Sequence, residues 1–243
     1  YKRQQEDRRL YYREVWLKMA NLTKEIGELK QDLINMGAFV EANVRDTFVA
    51  LDQNNKKMLD EIIANDRRTD AMEKEIESKC LRLLVTNNPR AKDFRTIASV
   101  LKIITDLERI GDHTEDIAEI QKLMPDQKIP FDYPILENMY LTVQDMLRIS
   151  MDAFVAEDAR LAEDQDARDD IVDEDFLKVR ANIINIIKEG KYDPELALDF
   201  LQIAKYVERI GDHAENIAEW VVYAETGIHP SLKEYNDDQD ILR

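Results

Sequence analysis

Apolar residues recur every three or four positions along most of the chain. From Leu22 the series Leu22, Ile26, Leu29, Leu33, Met36, Val40, Val44, Phe48 and Leu51 keeps to one face of a helix. The polar run Asp52–Lys57 ends this first helix. A second series, Met58, Ile62, Met72, Ile76, Cys80 and Leu83, runs to Asn87-Asn88-Pro89, a helix-stopping sequence. The third predicted helix extends from about Ala91 to Leu123 and is closed by Pro125. The pattern then restarts. A fourth helix carries Leu136, Met139, Val143, Met146, Leu147 and Phe154, and a fifth spans about Asp158 to Lys188 and ends near Gly190. The sixth opens on Asp193 as N-cap with Pro194 at the first helical position. It carries Leu196, Phe200, Ile203, Val207, Ile210, Ile217 and Trp220 and stops by Gly227.

The expected fold is all-α, two tandem three-helix bundles. The division predicted is a first bundle at 21–124, a linker at 125–134 holding Pro125, Pro130 and Pro134, a second bundle at 135–228, and a polar tail at 229–243. Residues 1–20 form a basic N-terminal arm, in which Lys2, Arg3, Arg8, Arg9, Arg13 and Lys18 face three acids.

A near-copy confirms that the halves repeat. Glu108–Glu119 reads ERIGDHTEDIAE and Glu208–Glu219 reads ERIGDHAENIAE, ten of twelve positions agreeing at an offset of one hundred. Steps of about 100° per residue put Glu108, Asp112, Glu115 and Glu119 on one helix face, with Asp116 beside them. Leu107, Ile110 and Ile117 lie behind. The second copy repeats the row as Glu208, Asp212, Glu215 and Glu219, with Asn216 in place of the second aspartate. Helix two carries Asp66, Asp70, Glu73 and Glu77, and helix five answers with Asp166, Asp170 and Asp173.

Like charges one turn apart cost roughly 0.2–0.5 kcal/mol per pair, and Gly111 and Gly211 cost about 1 kcal/mol each inside a helix. Arg109 and Arg209 supply one compensating charge per row. Oxygen-ligated cations would offset such repulsion, while an acidic helix face is ordinarily a solvated one. Glycine at these positions suits either a bound ligand or close helix packing. His113 and His213 stand about 140° from the opening glutamates, which suits interhelical hydrogen bonds better than ligation.

Composition narrows the field. The chain has 243 residues, is 44% hydrophobic and 35% charged, and carries a formal net charge of −17. Such a field repels nucleic acid and anionic lipid. Cys80 alone leaves no intrachain disulfide and no cysteine zinc site. No apolar run reaches the roughly 18 residues of a membrane span, so a cytoplasmic setting is expected. A Glu-x-x-His pair, a phosphate-cradling loop, H-E-x-x-H and a nucleophile with a recognisable base are all missing from the sequence, which makes catalysis the weakest reading.

With Asn35-Met36-Gly37, Val40-Glu41, Asp66-x-x-x-Asp70-x-x-Glu73, Pro89, Asp93-Phe94-Arg95 and the doubled E-R-I-G-D-H segment, the chain resembles the PhoU family of phosphate-uptake regulators over about residues 21–228. The resemblance implies metal at Glu/Asp-x-x-x-Asp motifs, in some members as multinuclear iron or zinc clusters. Magnesium, manganese and calcium stay open. Those motifs map onto Asp66, Asp70, Glu108, Asp112 and Asp116, and onto Asp166, Asp170, Glu208 and Asp212; Asn216 breaks the equivalence of the two sites. The resemblance further implies a negative regulator of high-affinity phosphate import and phosphate-starvation signalling. Its partners would be the ATPase subunit of the phosphate ABC transporter and a phosphate-sensing histidine kinase, and it would meet the membrane only through them, often as a homodimer. A metal-storage protein and a metal-free adaptor with acidic docking faces are the two rival expectations.

Overall fold

The computed structural model describes residues 2–87, 89–125, 133–190 and 193–230; for residues 2–19 and 133 it describes the backbone alone. Most of the predicted linker and the tail beyond residue 230 lie outside the described residues. Six long helices follow one another: α1 (Lys2–Gln53), α2 (Lys56–Asn87), α3 (Ala91–Leu123), α4 (Tyr133–Ala156), α5 (Gln165–Glu189) and α6 (Pro194–Thr226). Among the described residues there is no strand. Among these residues, too, no helix is long and apolar enough to cross a membrane. The residues of the basic arm, from Lys2, belong to α1 without a break.

The caps behave as the sequence foretells. Asp193 accepts a hydrogen bond from the Glu195 N–H at 3.0 Å and starts α6. Gly190 (φ 63°) and Gly227 (φ 79°) end α5 and α6 in the left-handed conformation that glycine adopts without strain. The predicted start of helix five is corrected. Residues from Asp158 do not enter it; a 3-10 turn over Ala159–Ala162 comes first. The cause is local: Asp158 turns back to accept from the Arg160 N–H and to pair with its guanidinium at 2.7 Å, which ends the turn before a helix can propagate.

The two three-helix units, α1–α2–α3 and α4–α5–α6, share a single continuous core. Helices α3 and α6 lie at its centre and make the most extensive pairing in the molecule, with α1 against α4 beside them. Ile103, Leu107, Ile110 and Ile117 of α3, and Ile203, Val207 and Ile217 of α6, are completely buried. The two run antiparallel: Arg95 near the start of α3 donates to the Ala224 carbonyl near the end of α6. Farther along, Asp106 meets His213 and Tyr206 meets His113. These contacts exchange equivalent positions one hundred residues apart, so a local two-fold relates α3 to α6.

On its other side α3 is approached by α2 at Gly111. A methyl group placed there would lie 2.9 Å from Thr69 Cγ2, and Thr69 is a fully buried, β-branched side chain. At Gly211 the facing atom is Asp169 Oδ1, at 3.3 Å, on a longer and more adaptable side chain. Close packing is therefore what these glycines serve. Alanine gains about 1 kcal/mol of helix propensity over glycine, while overpacking a rigid core costs about 1–3 kcal/mol. Gly111→Ala is expected to lower the melting temperature and Gly211→Ala to leave it within a few degrees. Thermal denaturation of both variants checks the order, and an equal or reversed response contradicts it.

Candidate functional site

Burying Leu107, Ile110 and Ile117 turns the opposite face of α3 toward the seam with α2, where it meets that helix's own acids. Glu108, Asp112 and Glu115 of α3 come opposite Asp66, Asp70 and Glu73 of α2. Asp66, Glu73, Glu108 and Glu115 respond to this confinement. Partial burial, then the charges of Asp112 and Asp70, raise Asp66 above the usual carboxylate range. Burial and then Asp112 raise Glu108. Burial, followed by Asp66 and Glu119, pushes Glu115 up to about 7.

The second unit repeats the device between α5 and α6. Burial, then Asp212, Asp173 and Glu208, lift Asp169 to about 6. Burial, then Asp169 and Asp166, raise Glu215 to about 8, and Glu215 shares a hydrogen bond with Asp166. Glu208 is buried and also raised, by burial first and by Asp212 next after the opposing pull of Lys205. Asp212 is more open to water but is raised by desolvation and by Asp173. Neutral Asp or Glu in such a crowd is the physical response to like charges that cannot move apart.

Basic groups reach these rows from outside. Lys74 pairs with Asp70 at 2.6 Å, and Arg109 bridges Asp112 at 3.0 Å and Glu108 at 3.5 Å. Lys205 is bonded to Glu208. The sequence expectation of one compensating arginine per row is thus corrected: lysines one turn away contribute as well.

Which acids meet also differs from the offset-of-one-hundred mapping. Asp169, absent from the expected set, is the α5 acid that points into the seam, with Asp173 and Asp166 on its flanks. Asp170 stands on the exposed side. The equivalent of Asp169 in the first unit is Thr69, so the mapping carried no sign of it; the i, i+3, i+7 spacing of Asp166, Asp169 and Asp173 did. Asp116 leaves the row altogether and hydrogen-bonds Tyr206 across the α3–α6 seam. His213 bonds Asp106 at 2.9 Å, the interhelical role expected of it. For His113 the same expectation is corrected: it is buried with Nδ1 lacking a hydrogen-bond partner, its ring lies 5.6 Å from that of His213 and tilted to it, and burial, then the charge of His213, drive it down to about 4.

The donor set is oxygen alone, and Asp66 Oδ1, Asp169 Oδ1 and Glu208 Oε2 are buried without a hydrogen-bond partner. That chemistry fits a hard or borderline cation. Among the described residues, no three Asp, Glu, His or Cys side chains are already gathered to hold one. The rows face each other at a distance that cation ligation would have to close.

Comparison with known proteins agrees with this architecture. The profile of the PhoU domain matches twice, at residues 33–121 and 136–221. The phosphate-specific transport system accessory protein PhoU homolog of Clostridium acetobutylicum is 36% identical over 211 residues, covering 86% of this chain and 96% of that protein. Homolog 1 of Thermotoga maritima is 35% identical over 213 residues, covering 87% and 91%. The crystal structure of PhoU from Pseudomonas aeruginosa superposes with a TM-score of 0.81 at 31% identity, over 85% of this chain and 99% of that one. The regulatory protein PhoU of Streptococcus pneumoniae gives 0.80 at 28% identity, over 86% and 98%.

The raised carboxyls carry a pH signature. Each keeps a proton in the folded state that the unfolded chain has lost, so its stabilisation is complete at low pH and disappears as pH climbs through the folded values of about 6 to 8. His113 acts oppositely, but only between about 4 and its ordinary 6.5. From pH ~6.5 to ~8, above the range of His113 and below that of the buried Cys80 thiol, the melting temperature of chelator-treated protein should fall. Glu115→Gln/Glu215→Gln should flatten that slope. A melting temperature that holds or rises across the window contradicts the assignment.

Proposed function

The chain belongs to the PhoU domain family, and from that premise we propose that it is a non-catalytic, cytoplasmic accessory regulator of a phosphate-specific transport system. It acts by contact with other proteins, damping high-affinity phosphate import and phosphate-starvation signalling. The partners proposed are the ATPase subunit of the phosphate ABC transporter and a phosphate-sensing histidine kinase, with the protein itself a homodimer. Support comes from relatives whose names place them in that transport system and whose length this chain nearly spans.

Metal belongs to the same proposal, with iron or zinc as the species. One observation carries it: two confined seams of facing carboxylates in which Asp66, Asp169 and Glu208 each have a buried oxygen with no partner. In the first seam Asp66, Asp70, Glu108 and Asp112 would hold the ion; in the second, Asp166, Asp169, Glu208 and Asp212 would. A bound cation supplies the positive charge that lets both rows ionise together. What the chain's own residues then do is draw α2 onto α3 and α5 onto α6, releasing Lys74, Arg109 and Lys205 from their carboxylates. The pairs those three bases make already favour a second reading, in which the faces stay metal-free and dock basic surfaces.

Elemental analysis of protein purified without chelator or affinity metal separates the two. The metal reading expects iron or zinc at one or more equivalents per chain. Asp66→Asn/Glu108→Gln should lower the content by about half, and so should Asp166→Asn/Glu208→Gln. Background metal in the unaltered protein, with partner capture weakened by the same substitutions and by salt, supports the adaptor. Unchanged phosphate uptake and starvation signalling in cells lacking the protein would overturn the regulatory role itself.

A further inference from the structure

A pocket of about 330 Å³ opens where α6 ends, beside the second acidic seam. Its polar wall is Glu163, Gln165, Asp166, Glu215 and Glu219, with Thr226 at the rim. Its apolar wall includes Ala218, Val222, Ile228 and Pro230. Among the described residues, no lysine or arginine lines it.

Gln165 gives the pocket its chemical preference. The side chain is 1% exposed, and its Nε2 donates to the Met146 carbonyl at 2.9 Å and to Ser150 Oγ at 3.1 Å. A carbonyl can only accept, so the amide orientation is fixed and Oε1 is left as a buried acceptor. That atom has no hydrogen-bond partner. An unmet acceptor costs about 1–3 kcal/mol, and beside the Thr226 hydroxyl the rest of the polar wall consists of four carboxyls. The arrangement asks for N–H donors bearing positive charge. A bare metal ion would satisfy neither the apolar wall nor the volume. An aliphatic stem tipped by a cationic head satisfies both, the stem against Val222 and Ile228, the head among the acids.

We propose that this pocket receives a single arginine or lysine side chain presented by a partner protein. The proposal deepens the reading of the chain as a regulator that works by protein contacts. Its source is put on a protein because Ile228, which is more than half exposed, and the partly exposed Pro230 extend the apolar wall out onto the surface, where a backbone carrying the side chain would lie. His229 stands at the pocket's rim, with Nε2 4.0 Å from Glu219 Oε2.

Calorimetric titration of the full chain with the capped tripeptide acetyl-Gly-Arg-Gly-amide tests it. Binding should saturate at one peptide per chain, and the norleucine counterpart, which keeps the stem and loses the charge, should not bind. Glu163→Gln/Glu219→Gln, at two wall acids outside the proposed metal ligands, should weaken binding by about tenfold or more, the scale of a lost charge-assisted hydrogen bond. Glu61→Gln, at an exposed acid on α2, should leave it unchanged. Thr226→Arg, at the exposed pocket rim, should block the peptide with every acid in place, which keeps the test independent of whether the acidic variants fold. Comparable binding of the norleucine peptide, several weak sites instead of one, an equal loss with Glu61→Gln, or undiminished binding by Thr226→Arg would each overturn the proposal. Spermidine binding far more tightly than the peptide would overturn the protein source. None of these outcomes touches metal content or phosphate phenotype, so the wider reading fails or stands separately.

Discussion

Everything in this molecule is arranged around the antiparallel packing of α3 on α6. Their buried isoleucines, leucines and valines form the middle of the main core, and apolar burial at about 25 cal/mol per Å² is the dominant favourable term in folding. Because the two helices are copies, the packing is two-fold about the repeated segment, and each exchanges the same contacts with the other. Once this face is committed inward, the helical period allows the acids only the outer flanks. There α2 and α5 cover them. The facing carboxylate rows are a consequence of the central packing, which fixes where they stand whether or not an ion joins them.

The electrostatic cost is contained in three ways. Lysines and arginines one turn away pair with Asp70, Asp112 and Glu208. Glu115, Asp169 and Glu215 titrate well above the ordinary range, so part of the negative charge is absent near neutrality. Asp116 is moved off its row to hydrogen-bond across the α3–α6 seam, where Asp106 bonds His213. These devices make the seams tolerable, and they also leave them poised: a cation, or a donor from another protein, competes with protons and with the chain's own bases for the same oxygens.

Nearly all of the fold was legible in the sequence, because a period of 3.6 over long amphipathic segments is the strongest signal a chain carries. The break between Gln53 and Lys56, the Asp193–Pro194 start and the glycine ends were read correctly because each rests on local backbone chemistry. The failures were also local in origin. The turn at Ala159–Ala162 depends on Asp158 folding back onto Arg160, which apolar periodicity does not encode. Asp169 was missed because its partner position in the other half is Thr69, and reasoning by repeat discards what the repeat does not share. The pocket could not be foreseen at all, since its walls come from the 3-10 turn, α5, α6 and the residues after Gly227.

Where the halves differ is therefore where function has to be sought. Duplication accounts for every feature they share, including the acidic rows, whatever those rows now do. It does not account for Asp169 against Thr69, Asn216 against Asp116, or Tyr206 against Asp106. Two of these changes act on one balance of charge. Asp169 adds a carboxyl to the α5–α6 seam, and Asn216 removes one from beside its α6 row, so the second seam is redistributed toward α5. Gln165, next to Asp166, opens the end of that same seam to a buried acceptor; its counterpart Asn65 instead donates to Asn43 at 2.8 Å and ties α2 to α1. One amide closes a helix contact in the first unit, and the other is left wanting a donor in the second. A symmetric scaffold has in this way acquired an asymmetric surface, with the first unit built to hold its helices together and the second built to be completed from outside.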